Sequence, residues 1–377
     1  MPESADLIVI GGGPAGLAAG IAAAREGLEV IVLEARHPPC DKACGEGLMP
    51  AGLEALDRLG VDLTGVGSAI DGIVYRAGDR RARADFPNGQ HGLGVRRLDL
   101  HERLAVAAAA AGVDLRWGVA VRGLTEGGVA TTEGELRARW LVGADGARSK
   151  VRRWAGLEGR SAAAPARFGV RRHYRGIDTE GRVEVWFGHG AEAYLTPIGA
   201  DRTGVAVLWS GPACGFDDLV AERLPAELGR RLAAAQVDSR DRGAGPFGGR
   251  ARGVARGRVA LVGDAVGSLD PLTGEGLALA FREALRLGPA LAADDLPGYA
   301  RAVARQRRGP TWLTGLALAL TRRPERAARL VAALSTHPQL FARLVAALGT
   351  ARPVRTRDLL DLATLVPHLL RPAPAMS

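Results

Sequence analysis

Lysine is nearly missing from this 377-residue chain: Lys42 and Lys150 are its only lysines in a total of 50 basic residues, so arginine carries almost all the positive charge. Cysteine is scarce too. Cys40, Cys44 and Cys214 are an odd number at no metal-ligand spacing, and Cys40 and Cys44 have three residues between them where a redox pair has two. They fit a reducing, cytoplasmic setting better than a disulfide framework. Aromatic residues make up 5%, leaving little with which to stack nucleic-acid bases. The net charge of +9 is spread along the whole chain, so it is read as solvated surface with no nucleic-acid partner. No uninterrupted apolar run reaches ~18 residues, so no membrane-spanning helix is expected. The opening Met1–Asp6 is acidic and polar, unlike a secretion signal. No Ser-His-Asp set or metal-ligand cluster stands out.

Glycine, by contrast, is abundant and placed with purpose. Leu7-Ile8-Val9-Ile10 has the length of a buried strand, and an alanine-rich helical stretch follows from Leu17. Between them lies Gly11-Gly12-Gly13-Pro14-Ala15-Gly16. In a strand-turn-helix of this kind Gly11 permits the turn, Gly13 admits a pyrophosphate close to the backbone, and Gly16 lets the helix lie on the strand. Free N–H groups at the helix start favour the phosphates. A second strand ends at Glu34, about 20 residues further on, where a carboxylate accepts from an adenosine ribose. An acid there disfavours a 2′-phosphate, leaving FAD or NAD as the bound dinucleotide.

Two later segments select FAD. Trp140-Leu141-Val142-Gly143 delivers Asp145-Gly146, and Val259-Ala260-Leu261-Val262 delivers Gly263-Asp264, followed by Asp270-Pro271-Leu272-Thr273-Gly274-Glu275-Gly276. Asp264 suits ribityl hydroxyls, and the helix opening near Gly276 aims its positive end at the flavin pyrimidine. On these residues the chain resembles the para-hydroxybenzoate hydroxylase superfamily of FAD-dependent oxidoreductases. Lys42-Ala43-Cys44-Gly45-Glu46-Gly47-Leu48 and the 270–276 segment are similar to its geranylgeranyl reductase-like branch. The resemblance implies cofactor contacts from Gly11, Gly13, Pro14, Ala15, Gly16, Glu34, Ala35, Arg36, Cys44, Gly45, Arg97, Val121, Asp145, Gly146, Asp264, Gly274, Glu275 and Gly276. Arg97 would meet the phosphates and ribityl chain, Val121 the adenine, and Cys44 the ring.

The implied fold is α/β: a Rossmann-like FAD-binding domain of the glutathione reductase type with an inserted antiparallel β-sheet substrate domain and a helical C-terminus. The expected FAD domain takes 1–66, 93–161 and 251–290, the substrate domain 67–92 and 162–250, and the helical region 291–377. Two amphipathic stretches are legible in the last part: Leu330, Val331 and Leu334, then Leu340, Phe341, Leu344, Val345 and Leu348. Thr336 and Pro338 serve as start signals for the second. Arginine-flanked helices of this kind cap the protein's own core, cover an apolar tunnel or make peripheral membrane contact, the first being favoured.

Cys44, Glu46 and Tyr194 are the candidates nearest the reacting atoms, as ring contact, acid/base and substrate hydrogen-bond partner. Glu46 as a loop-closing residue and Tyr194 as a core aromatic remain open. His91, His101 and His173 are assigned no role. Departures from the family matter: Ala265-Val266-Gly267-Ser268 follows the Gly-Asp pair where hydroxylases usually have a histidine, and a halogenase lysine and Trp-x-Trp motif are lacking. The expected activity is an NADH- or NADPH-dependent monooxygenase acting on an apolar aromatic or polyketide-like small molecule with O2, through a flavin C4a-hydroperoxide. Ene reduction of a prenyl or lipid substrate is the second reading, and a redox-neutral flavoprotein the third.

Overall fold

The computed structural model of the protein describes residues 4–159, 167–212 and 214–349. Residues 162–166 at the start of the second expected insertion, and 350–377 at the end of the expected helical region, lie outside the described residues.

The first sheet has eight strands. Ser4–Ile10 lies at its centre, parallel to Val30–Glu34 on one side and to Gly134–Gly143 on the other; Asp114–Trp117 and Val259–Leu261 extend it in parallel. Leu7–Ile10 and Val30–Glu34 are buried throughout, as continuous apolar runs in a parallel sheet require. Pro14, whose fixed φ suits a first helical position, starts the helix Pro14–Ala24. Gly11 has φ +113°, and a Cβ on Gly16 would run into the Gly11 carbonyl. Only glycine allows helix and strand to meet so closely. The helix Gly276–Ala292 packs on the same helix, with Gly288 against the Ala22 carbonyl.

The second sheet joins Gly72–Ala77 and Arg80–Asp85 to strands between 167 and 247, in the order 236–237, 167–175, 202–210, 191–199, 182–187, 72–77, 80–85, with 242–247 also on 167–175. Its ladders are antiparallel except one: Arg182–Phe187 runs parallel to Gly72–Ala77. The sheet is antiparallel, as expected, apart from that one ladder. Hairpin-linked strands must reverse direction, but these two come from separate excursions of the chain and carry no such constraint. A three-stranded sheet of Gly47–Leu48, Ser68–Ile70 and Gly92–Gly94 packs against the second large one, with Gly94 close to the Pro197 carbonyl. The boundaries expected at 66/67 and 92/93 fall within or beside it.

Alternation gives the second sheet two distinct faces. Trp186, Leu195, Val205, Val207 and Trp209 pack with Phe216, Leu219, Leu228 and Leu232 of the short helices Phe216–Arg223 and Ala226–Ala233. Val183, Val185, Phe187, Tyr194 and Leu208 join the opposite cluster, with Leu330, Val331, Leu334, Leu340, Phe341 and Val345 of the helices Pro324–Thr336 and Pro338–Gly349. The apolar faces of these two helices are therefore used internally, on the protein's own sheet, rather than offered to a membrane. No described helix is long and apolar enough to cross one. Thr336 is also corrected: it ends the first of the two helices, its hydroxyl donating to the Ala333 carbonyl 2.9 Å away, instead of capping the second. The long helix Leu296–Thr321 falls in the expected helical region and runs on through its interior Pro310.

Candidate functional site

Several chain segments converge at the C-terminal edge of the first sheet. The Gly11–Gly16 turn faces Arg97, whose Nη2 would lie 3.9 Å from a Cβ built on Gly13. Arg97 is 6% exposed, burial pulls its pKa down, and its Nη1 is buried without a hydrogen-bond partner. A desolvated guanidinium beside a glycine turn and a helix N-terminus calls for an anion. Glu34 holds the turn from the other side: its Oε2 accepts from Gly12 N at 3.0 Å, and its Oε1 from Arg36 Nε at 2.9 Å. Trp117 lies beside Gly12, and His101 Nε2 is 2.9 Å from the Gly12 carbonyl. Val121 opens the strand Val121–Leu124, in the antiparallel hairpin at the margin of the same sheet.

The later motifs meet the same edge. Asp145 Oδ2 accepts from Lys150 N (2.7 Å) and Val151 N (3.1 Å), fixing the start of the helix Lys150–Trp154, while its Oδ1 is buried without a partner. Lys42 Nζ stands 3.8 Å from Asp264 Oδ2 and would be 3.7 Å from a Cβ on Gly146. Glu275 immediately precedes the helix Gly276–Ala292; it is buried, its Oε2 has no partner, and burial pushes its pKa up to about 8. Space at Gly45 and Gly276 is open to a side-chain-sized group. Unpartnered atoms on Arg97, Asp145 and Glu275, around glycines with room beside them, fit a polar dinucleotide such as FAD.

Glu46 turns out to be a buckle rather than a reacting group. It takes φ +59°, is 2% exposed, and spends both carboxylate oxygens inside the protein. Oε1 accepts from Arg97 N at 2.9 Å, and Oε2 lies 2.7 Å from His173 Nε2 on the second sheet. An acid/base role at a substrate does not suit a carboxylate enclosed in this way. Arg171 continues the network from His173 to Asp41, donating from Nη2 to Oδ1 at 2.7 Å. Thr196 adds a hydrogen bond to the Gly45 carbonyl at 2.9 Å. The loop bearing Cys44 is thus tied to the second sheet at three points. Cys44 Sγ accepts from Glu46 N at 3.3 Å, and burial pushes the thiol up against the pull of Arg97. Tyr194 reaches only a long 3.4 Å hydrogen bond to the Leu272 carbonyl.

Two arginines that the sequence left as surface charge brace the Gly263-Asp264 turn. Arg307 donates to the Gly263 carbonyl (2.7 Å) and the Gly267 carbonyl (2.6 Å) and pairs with fully buried Glu283, which itself accepts from Gly263 N. Arg152 links the Ala265 and Ala147 carbonyls at 3.1 and 3.0 Å, joining the turn to the segment after Asp145-Gly146. Near these turns an open cavity of about 960 Å³ is lined by Ala147, Lys150, Arg153, Arg167, Glu192 and Asp270, with Phe247 and Leu318 beside them. A smaller one of about 420 Å³, between the helices Gly276–Ala292 and Leu296–Thr321, is remote from the glycine turns.

A family model described as an FAD binding domain matches residues 4–301. The chain belongs to this FAD-binding family. This flavoprotein is an FAD-dependent oxidoreductase of the para-hydroxybenzoate hydroxylase type. It is similar to the menaquinone reductase of Mycobacterium tuberculosis, with 31% identity over 366 residues and 85% of each chain covered. Digeranylgeranylglycerophospholipid reductase of Methanosarcina mazei is 28% identical, covering 74% of this chain and 72% of the relative. Para-nitrophenol 4-monooxygenase of a Pseudomonas strain is 27% identical, covering 76% and 77%. Among solved structures, a triple mutant of a flavin-dependent brominase superposes with a TM-score of 0.80 at 19% identity, over 97% of this chain and 99% of that one, a likeness of fold alone.

Proposed function

We propose that this flavoprotein is a reductase that saturates a carbon–carbon double bond in an isoprenoid chain, using NADPH or NADH as electron source in the cytoplasm. The observation that carries the reading is the 31% identity with a menaquinone reductase, which runs over 85% of the chain. That is too long a match for the nucleotide-binding strands alone. A second family of lipid reductases aligns at 28%, and both names describe proteins whose partners carry isoprenoid chains.

In this reading the Gly11–Gly16 turn and Arg97 hold the pyrophosphate, Glu34 with Ala35 and Arg36 the adenosine end, and Asp145 and Asp264 the ribityl region. The N-terminus of the helix Gly276–Ala292, with Gly274 and Glu275 before it, would face the ring and favour negative charge there. FAD, when bound, supplies the two-electron chemistry. The chain's own work is to orient an apolar substrate in the cavity, keep water from it and provide a proton. Cys44 and Gly45 would border the ring from their tied loop. Tyr194 keeps a hydroxyl that a substrate can engage by displacing its long bond to Leu272.

The second reading is hydroxylation of an apolar aromatic with O2, favoured by the 27% identity with para-nitrophenol 4-monooxygenase. Product analysis separates the two. The purified protein is incubated with NADPH, labelled O2 and either a geranylgeranyl-bearing menaquinone or a para-substituted phenol. Reduction predicts a quinone with one side-chain double bond saturated and no label. A labelled hydroxyl on the phenol, with the quinone side chain unchanged, would overturn the proposal.

A further inference from the structure

Three side chains that line the cavity form a unit that the cofactor cradle does not use. Arg167 donates from Nη2 to Glu192 Oε1, while its Nε lies 2.7 Å from Asp270 Oδ2. The two carboxylate side chains are 7% and 10% exposed. One guanidinium thus stands between two enclosed carboxyl groups. If both ionised, the trio itself would carry a net negative charge, and burial raises both carboxyls, which favours one retained proton.

Geometry decides which carboxyl keeps it. Asp270 accepts a backbone hydrogen bond from Leu272 N at 3.1 Å, which favours its ionised form, whereas no backbone N–H reaches the Glu192 carboxylate among the described residues. Burial pushes the Glu192 pKa up to about 7, against the pull of Arg167. Tyr194 is two residues along the same strand, and Arg148, Lys150, Arg153 and Arg322 line the same cavity. Burial raises Asp270 as well, but Asp270 is held by Arg167 and by the Leu272 N–H, whereas Glu192 is held by Arg167 alone among the described residues.

We propose that Glu192 is the acid that delivers a proton to the substrate, with Arg167 as its positioning residue. The inference rests on the reductase reading. Saturation of a C=C bond adds two electrons and two hydrogens. One carbon takes the hydride equivalent drawn from NADPH by way of the cofactor. The other takes the Glu192 proton: the carboxyl O–H bond breaks, a C–H bond forms, and the resulting carboxylate stays paired with Arg167 until water at the cavity mouth returns a proton.

The test uses the holoprotein and its Glu192→Gln and Glu192→Asp variants. Infrared difference spectra across neutral pH read the carboxyl directly, and anaerobic single turnovers with the geranylgeranyl-bearing menaquinone read its use. A carboxylic acid band that titrates near neutrality in the wild type and is missing from Glu192→Gln is expected. Saturation should slow by roughly 100-fold in Glu192→Gln, with FAD content and its reduction by NADPH unchanged, and Glu192→Asp should restore part of the rate. In the wild type the rate should fall as pH rises through neutrality. If the band persists in Glu192→Gln, or the variant turns over within a few-fold of wild type, the inference fails while the reductase reading stands. If the wild type saturates no double bond, the reading fails and the proton-donor role with it, whatever the infrared band shows.

Discussion

The two large sheets of this molecule are stabilised by different means. The first rests on apolar strands buried on both faces and on backbone approaches so close that glycine is obligatory, as at Gly11 and Gly16. The second carries charge within its own interior: Arg167, Arg171, His173, Glu184 and Glu192 are each largely buried and paired. Enclosed ion pairs contribute little net stability compared with apolar packing of the same volume, but they fix geometry, since breaking one leaves an uncompensated charge. One sheet is built to present a constant backbone surface to a cofactor. The other is built to hold a few polar groups at fixed places around a cavity.

This contrast can be broken most forcefully where buried charge supports the first sheet. Arg307→Ala removes the partner of Glu283, which is 0% exposed, and frees two carbonyls of the Gly263–Gly267 segment. It should cost about 3–5 kcal/mol in chemical denaturation, the usual result of orphaning a buried partner, and should lower FAD content. Asp264→Ala comes next: Asp264 is partly exposed and its one ion pair among the described residues is the 3.8 Å contact to Lys42, so the fold should survive while FAD is lost. A variant that purifies fully yellow would remove Asp264 from the cofactor site. Glu34→Ala should weaken FAD by ~1.5–3 kcal/mol, the range for a charge-assisted hydrogen bond, as read by a cofactor titration.

A pH-dependent effect tests the second sheet. Burial raises Glu192 from 4.5 to about 7, so between those values the folded protein holds a proton that the unfolded chain releases. Stability should therefore fall as pH rises across that window, by at most about 1.4 kcal/mol per unit for one proton. Above about 7 this contribution levels off. The slope should be weaker in Glu192→Gln, measured by denaturation at a series of pH values.

The first sheet was largely legible in the sequence because its demands fall on glycine and on continuous apolar runs, which occur in a fixed order along the chain. Gly11 through Gly16, Glu34 and Asp145-Gly146 could be located that way, and the strands they end are where the periodicity puts them. Several of the second sheet's strands, 72–77, 80–85, 182–187 and 202–210 among them, were legible as strand-like runs, but Arg167–Arg175 and the sheet's chemistry were not. Glu192, Arg167 and Asp270 meet from three separate segments, and nothing in their local sequence distinguishes them from surface charge. Arg152, Arg171 and Arg307 were hidden by composition: in a chain whose cations are nearly all arginine, a buried brace looks like any other arginine. His173 would have been found only by knowing that its strand faces the loop of Glu46. The small sheet of Gly47–Leu48, Ser68–Ile70 and Gly92–Gly94 has strands too short for any periodicity to register.

The central claim is that electrons taken up by this flavoprotein pass to an isoprenoid double bond. Its most direct test is to reduce the protein with NADPH under strict exclusion of air, mix it with the geranylgeranyl-bearing menaquinone, and follow recovery of the oxidised flavin spectrum. To isolate the side chain, the same quinone with its isoprenoid chain already saturated serves as control. The account predicts recovery without oxygen beyond that seen with the control, matched mole for mole by a saturated side chain. Recovery only after air is admitted, with the side chain intact and an added phenol hydroxylated, would contradict it.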